Sequence, residues 1–461
     1  MTGHASGGIA ARVCRNDCCQ LSDARCNPGV VERIVRLNAG AKTCLSERLQ
    51  MTTASLIIFL LTYAGIAVGR YPKLAIDRTG IALLGAIMMV VSEVVGTTEA
   101  LSAIHTPTLL LLYGLMIISA QLRLGGFYTW LAQRVTQWAD NPARFLFILM
   151  AVSGVLASVL ANDIICLAFT PVLTIALRKR NTNPIPFLLG LAMSTKLGSA
   201  STIIGNPQSM LIGQVGNLSF GDFFLWCAPP SFIGLFATYG IILLLYRNRF
   251  ALQPVSDAQP FAEPVLPSFN RWQTGKGLTA TLIVIILLLS PLPREWSVLA
   301  VAGALLISRR MHTRDMLGLV DWHLITLFAG LFIVVKGFTS SGLPERALAA
   351  LGEMGVNYAS PNVLAVVGVL LSNVVSNVPA TMLIIPHMPA DQPHLWYVLS
   401  LATTYAGNLL TIGSMANLIV IEQARLNGVR ISFVEYLKTG VIVTAANLAL
   451  LLVWIMLRYP S

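Results

Sequence analysis

Long stretches without a single charged side chain recur through this sequence, at 224–246 and 278–292 for example, and they restrict the chain to a bilayer. About 20 apolar residues are needed to cross the hydrocarbon core as a helix. In lipid, only helices and closed barrels satisfy their own backbone. Apolar residues make up 55% of the chain and charged ones 11%, against about 25% charged in soluble domains. The net charge of +11 is not a nucleic-acid signal, because the basic residues sit in short loops between apolar runs. That distribution follows the positive-inside rule.

Two of the runs carry polar residues at their centres. In 145–177 the break falls at Asn162-Asp163, and in 361–388 it falls at Ser376-Asn377. Pro171 follows Asn162 at the same spacing as Pro386 follows Asn377. Gly114 and Gly330, and Gly205 and Gly413, are separated by nearly the same distance along the chain. The chain therefore reads as two copies. The predicted fold is an all-α polytopic membrane protein of two inverted-topology repeats. Each repeat has five transmembrane helices, a re-entrant hairpin and one unwound helix.

The predicted first copy, 51–250, has spans near 54–69, 79–97 and 107–122, an interfacial helix in 123–144, the hairpin 145–177, a broken run 187–216 and a span at 224–246. Residues 251–276 are Pro-rich and polar and read as a cytoplasmic linker. The second copy, 277–461, repeats the order at 278–292, 296–308, 322–338, 339–360, 361–388, 396–422 and 438–458. Each hairpin arm is expected to be about 15 residues, too short to cross. With five crossings per copy, nearly all loop Lys and Arg fall on one side, and only Arg294, Arg346 and Arg458 fall opposite. Residues 1–50 are expected to be a non-native or disordered extension. They hold Cys14, Cys18, Cys19, Cys26 and Cys44 of the seven cysteines, without zinc-finger spacing and without the apolar core of a signal peptide.

Inverted repeats with broken helices are an architecture of secondary transporters, with the substrate site where the breaks meet. Four elements are expected to converge near the bilayer midplane: the two tips and the unwound segments 198–208 and 407–417. Glycine permits the unwinding. Freed carbonyls suit a cation and freed N–H groups an anion. The candidate binding residues are Asn162, Asp163, Gly198, Ser199, Thr202, Gly205 and Asn206 in the first copy. In the second they are Ser376, Asn377, Gly407, Asn408, Thr411, Gly413, Ser414 and Asn417. Asp163 is the sharpest of these, because an ionisable group at membrane depth is costly and marks function by default. It can hold sodium as a carboxylate or carry a proton as an acid, or simply cap its half-helix. Lys196 can attract an anion, pair with Asp163, or simply reach to the interface. Cys166 lies on the same helical face as Asp163 and could offer a soft ligand, although a packed small residue is the simpler reading. Glu93, His105 and Lys336 lie near span ends, where side chains reach to the interface.

With these residues in place, the chain resembles the ion transporter superfamily. That group includes divalent-anion/sodium symporters, citrate permeases, arsenite-pump-type permeases and a class of sodium/proton antiporters. The resemblance covers 54–458. It implies two inverted repeats, a homodimer and elevator-like motion. The dicarboxylate branch has Ser-Asn-Thr at both tips. Here the tips read Ala161-Asn162-Asp163 and Ser376-Asn377-Val378. The Asn-Asp tip and Gly205-Asn206-Pro207-Gln208 are similar to the arsenite-permease and antiporter side. The position matching Asn417 in the first copy is Ser209.

The functional expectation is an ion-coupled secondary transporter, driven by H+ or Na+, for a small inorganic or organic anion or neutral oxyacid. Its expected setting is multi-pass in a bacterial inner membrane. The competing reading is a Na+/H+ antiporter using the same site. A membrane-embedded enzyme is a remote alternative: there is no His-Glu-x-x-His and no phosphate-binding loop. No cofactor and no resident metal are expected beyond transient Na+, and the expected partners are a small solute or ion and the lipid bilayer, with no nucleic acid.

Overall fold

The structure, a computed structural model, describes residues 50–68, 76–138, 141–250, 268–307, 311–353 and 360–459. Contacts group the chain into residues 1–54 and 55–461. The expected extension 1–50 lies outside the described residues apart from Gln50, as does 251–267 of the expected linker.

The described residues form helices and no β-sheet. The stretch expected to be the first copy holds α1 (Gln50–Val68), α2 (Arg78–Val91), α3 (Thr97–Ala103), α4 (Thr106–Leu124), α5 (Phe127–Thr136), α6 (Pro142–Val159), α7 (Asn162–Lys179), α8 (Ile185–Ser199), α9 (Pro207–Val215) and α10 (Phe220–Leu245). The second holds α11 (Arg271–Leu288), α12 (Arg294–Leu306), α13 (Thr313–Leu317), α14 (Trp322–Ser340), α15 (Leu343–Glu353), α16 (Pro361–Val375), α17 (Asn377–Ile384), α18 (Pro393–Ala406), α19 (Met415–Leu426) and α20 (Phe433–Arg458). Helix α11 begins inside the stretch read as linker, because Asn270 caps it by accepting from the backbone N–H groups of Trp272 and Gln273. Similar side-chain caps from Asn141, Ser219 and Ser432 start α6, α10 and α20.

Six of these helices are long and apolar enough to cross a membrane: α1, α4, α6, α10, α14 and α20. Helices α2 and α16 are shorter apolar helices. The expectation of short hairpin arms fails in the first copy, where α6 and α7 are 18 residues each, about 27 Å of helix. The Asn141 cap and Pro142 extend the start of α6, and α7 runs on through Arg178 and Lys179, beyond the apolar run that the sequence reading counted. In the second copy the arms are 15 and 8 residues.

Side-chain pairings show that α6–α7 turns back on itself all the same. Phe145 near the start of α6 stacks against Phe187 near the start of α8, with ring centroids 4.9 Å apart. Further along, Ser153 bonds Ser194 at 2.7 Å. Helix α6 thus runs parallel to α8. Helix α7 runs the other way, with Cys166 beside Thr195 at 3.4 Å and its C-terminal end leading into the start of α8. The second hairpin does the same against α18: Gly368 of α16 faces Ala402, and Asn377 at the tip faces Gly407. Trp396 near the start of α18 donates to the carbonyl of Pro389, just past the returning arm.

Helices α8 and α18 form the core. Every residue of α8 from Pro186 to Ser199 is buried, as is every residue of α18 from Leu395 to Ala406. A helix apolar on all sides belongs inside a bundle. The outer helices expose Leu60, Leu61, Leu83, Phe236, Leu244, Leu282 and Met456, which suits a lipid-facing surface. Glycines set the closest approaches. A methyl on Gly198 would overlap the carbonyl of Gly154 in α6, so α6 and α8 touch backbone to backbone.

That contact is testable by overpacking. Gly198→Ala is expected to destabilise the protein by about 1–3 kcal/mol. Gly240→Ala, where an added methyl meets nothing within 4 Å, is expected to leave it unchanged. Thermal melts in detergent compare the two, and equal melting temperatures would rule out the clamp.

Candidate functional site

The site is built where helices stop. Helix α8 ends at Ser199, and Asn206 starts α9 by accepting from the N–H of Ser209 at 2.8 Å, with Pro207 in the first turn. Between them the chain is unwound, and at Gly205 a side chain would overlap the Ser199 carbonyl. The Asn206 amide also donates to the Ser199 carbonyl at 3.2 Å. Thr202 donates to the Ser158 carbonyl at 2.5 Å, joining this break to the end of α6 beside the first tip.

The second break follows α18 and contains a single 3-10 turn, Thr411–Gly413. Asn417 of α19 reaches back into it and donates to the carbonyls of Gly407 at 2.8 Å and Leu410 at 3.0 Å. At the second tip, Ser376 holds φ +78° and ψ 159°, a conformation that costs a non-glycine residue about 1–3 kcal/mol and marks functional sites.

The two breaks are stitched to each other's helices. Gln208 donates to Thr404 of α18 at 3.3 Å, and Ser209 pairs with Ser400 at 2.8 Å. In return, Lys196 of α8 donates to the Gly407 carbonyl and to the amide oxygen of Asn417. Each tip thus lies beside one break, and the two breaks are bonded to each other's helices.

The site residues divide into two groups. Asn162, Asp163, Gly205 and Asn206 line a cavity of about 230 Å³ together with Ser119, Arg123, Thr281 and Asp321. Among the described residues, no hydrogen bond or ion pair reaches the Asp163 carboxylate. Asp321 and Lys196 are the ionised neighbours close enough to act on it. The second group surrounds Asn377: Ser376, Gly407, Asn408, Gly413, Ser414 and Asn417, with Thr411 in the adjoining turn. Here buried amide atoms stand unpaired, namely the oxygens of Asn373 and Asn377 and both polar atoms of Asn408, which is 0% exposed. Leaving such groups unsatisfied costs about 1–3 kcal/mol each.

Two expectations change, and Cys166 keeps the simpler of its two readings. Lys196 neither reaches an interface nor pairs with Asp163; its bonds cross to the second break, and it is 1% exposed. Gly198 and Ser199 serve the helix end, Gly198 through its contact with α6 and Ser199 by bonding the Lys196 carbonyl at 2.8 Å. Cys166 is fully buried against Thr195, outside the cavity lining. Near the span ends, Lys336 pairs with Glu99 at 3.3 Å, half exposed.

Sequence reading missed Arg123 and Asp321, because both look like ordinary loop charges at span ends. It also missed Asn373, for which a signal existed: Ser372-Asn373 and Ser376-Asn377 repeat the same pair one helical turn apart.

A helical bundle whose interior helices break around unpaired polar groups defines a membrane transporter, an integral membrane protein. The chain belongs to the citrate transporter family, whose model matches residues 56–402. It is 28% identical to a 46 kDa membrane protein of Mycobacterium leprae over 89% of this chain and 99% of the relative. It is 29% identical to the silicon efflux transporter LSI3 of Oryza sativa subsp. japonica, over 77% of this chain and 86% of the relative. In fold it is similar to Neisseria gonorrhoeae MtrF, solved as illuminating a class of antimetabolite efflux pumps, with a TM-score of 0.53, 12% identity, and 88% and 94% of the two chains covered.

The unpaired amide gives a prediction that separates stability from function. Asn408→Ala should hold or raise the melting temperature, since it removes groups with no partners, while transport is lost. Asn417→Ala should cost about 3–5 kcal/mol, because it strips a buried ammonium of one acceptor. Melts of both purified variants check this. A large loss of stability in Asn408→Ala would mean that the amide has protein partners.

Proposed function

We propose that this protein is an ion-coupled secondary transporter that moves a small anion or neutral oxyacid. The observation that carries the reading is the Asp163 carboxylate, at a helix start within the bundle, facing a cavity without a partner. A group in that position can take up and release a coupling ion, H+ or Na+, as the cavity opens and closes. Arg123 in the same cavity provides a fixed donor fork for an oxyanion. Asn162 and the unpaired amides around Asn377 supply neutral hydrogen bonds that hold a polar solute and still let it go. The relatives support the cargo class. The family is described as citrate transporters and the rice relative as a silicon efflux transporter; citrate and hydrated silicon are both small, oxygen-rich solutes.

The two-copy architecture is part of the proposal. It is supported by reciprocal packing. Helix α14 of the second copy packs on α2 of the first, and α4 of the first packs on α12 of the second. Gly330 faces Ala82 in one pair and Gly114 faces Val298 in the other. The last helices of the two copies, α10 and α20, pack on one another. We place the protein in a bacterial inner membrane, in keeping with the mycobacterial relative. A homodimer follows from the superfamily resemblance. Transport, rather than catalysis, is the role proposed for the polar centre.

A second reading is favoured by the carboxylates Asp163 and Asp321 lining one cavity. Two acids there suit a Na+/H+ antiporter that exchanges ions without any other solute.

Reconstituted vesicles with an imposed proton or sodium gradient test both. Gradient-driven uptake of a citrate-like anion or a neutral oxyacid is the expected result. Sodium-dependent proton movement with no added solute would replace this reading with the antiporter. Asp163→Asn should reduce gradient-driven accumulation by 100-fold or more, on the order of 2.7 kcal/mol, with folding intact. Asn377→Ala should raise the apparent Michaelis constant about tenfold. Wild-type accumulation in Asp163→Asn would remove the carboxylate from coupling.

A further inference from the structure

The two polar breaks are not equivalent in charge. The first tip carries Asp163, and the matching position at the second tip is Val378. The second break instead receives a lysine from the other copy. Lys196 comes from α8, while α18, in the corresponding place in the second copy, has no Lys or Arg. The Lys196 ammonium is enclosed, and the groups it bonds are oxygens of the second break: the Gly407 carbonyl and the Asn417 amide oxygen. The Asn417 NH₂ is committed to the Gly407 and Leu410 carbonyls, so its oxygen must face the ammonium. A freed backbone carbonyl beside an amide oxygen is a pair of oxygen ligands of the kind that binds a small hard cation at a broken helix. Here a covalently attached cation already occupies them.

We infer that Lys196 is a resident cation of the second break. It replaces an exchangeable metal ion there and leaves Asp163 as the one site for a coupling ion. Its positive charge holds the Gly407 carbonyl and the Asn417 amide oxygen together. It also offsets the charge of Asp163, which lies within electrostatic reach. This inference goes beyond the cargo and rests only on ion coupling. Its test needs no cargo, so its failure would leave the transport reading standing.

The full chain is purified in detergent and melted at equal ionic strength in chlorides of sodium, lithium, potassium and N-methylglucamine. The Asp163→Asn background keeps the first tip out of the readout. In that background, with Lys196 present, the melting temperature should be the same in all four salts. Adding Lys196→Met should lower it in N-methylglucamine, and sodium or lithium should restore about 3 °C or more in a saturable manner. Lys196→Gln is the second variant and should behave alike. Two results overturn the inference. One is a folded, monodisperse Lys196→Met or Lys196→Gln protein with no preference among the cations. The other is sodium-specific stabilisation of the Asp163→Asn protein that Asn417→Ala abolishes, which would show oxygen ligands open to sodium with the lysine in place. If neither Lys196 variant purifies as a monodisperse species, the Asp163→Asn protein decides alone: indifference supports the inference and sodium-specific stabilisation overturns it.

Discussion

A helix that stops inside a membrane leaves backbone N–H and C=O groups that lipid cannot satisfy, each costing several kcal/mol. This constraint explains most of the interior. The first break is closed by Asn206, which caps α9 and bonds back to Ser199, and by Thr202 reaching the Ser158 carbonyl. The second is closed by Asn417 and Lys196. Helices α8 and α18 can be buried on all sides because their broken ends are paired with each other's side chains. The unwound backbone is therefore held where the two breaks interlock. Any solute site built from that backbone must lie at the same interlock.

Much of this was legible in the sequence. Apolar runs located the helices, and paired Gly, Asn and Pro residues located both tips and both breaks. Such residues have few other uses inside an apolar segment, which is why the signal was clear. Helix ends were read less well. Caps such as Asn141 and Asn270 add turns of helix from polar residues, which a hydropathy reading assigns to loops. The short helices α3 and α13 were hidden for the same reason.

Contacts between the copies were not legible. Lys196 has an apolar environment on its own helix, and within one copy the obvious partner is Asp163. Its true acceptors are about 210 residues away in sequence and adjacent only after the breaks cross. Arg123 and Asp321 were missed similarly. Each sits at the end of an apolar run, where charges are expected to meet water, and only the folded chain turns both toward one cavity. Periodicity reports which face of a helix is apolar; it carries no information on which distant helix will lie against it.

The unequal tips bear on how such a centre can work. Two identical break sites would bind two identical ions, and a cargo between them would meet the same charge from both sides. In this chain one site keeps a carboxylate facing open space, and the other receives the side-chain nitrogen of Lys196 from α8. A carboxylate can change its charge by taking a proton or a cation, whereas the enclosed lysine is held by two acceptors, the Gly407 carbonyl and the Asn417 amide oxygen. The carboxylate is thus on the side with the cavity. The orphaned amides of Asn377 and Asn408 lie on the side of Lys196. A solute seated between them would meet neutral donors and acceptors backed by the Lys196 side chain. On the opposite side it would meet a group whose charge depends on the ion gradient. In the transport cycle proposed above, that division would favour oxygen-rich solutes and would tie their release to the ionisation of Asp163.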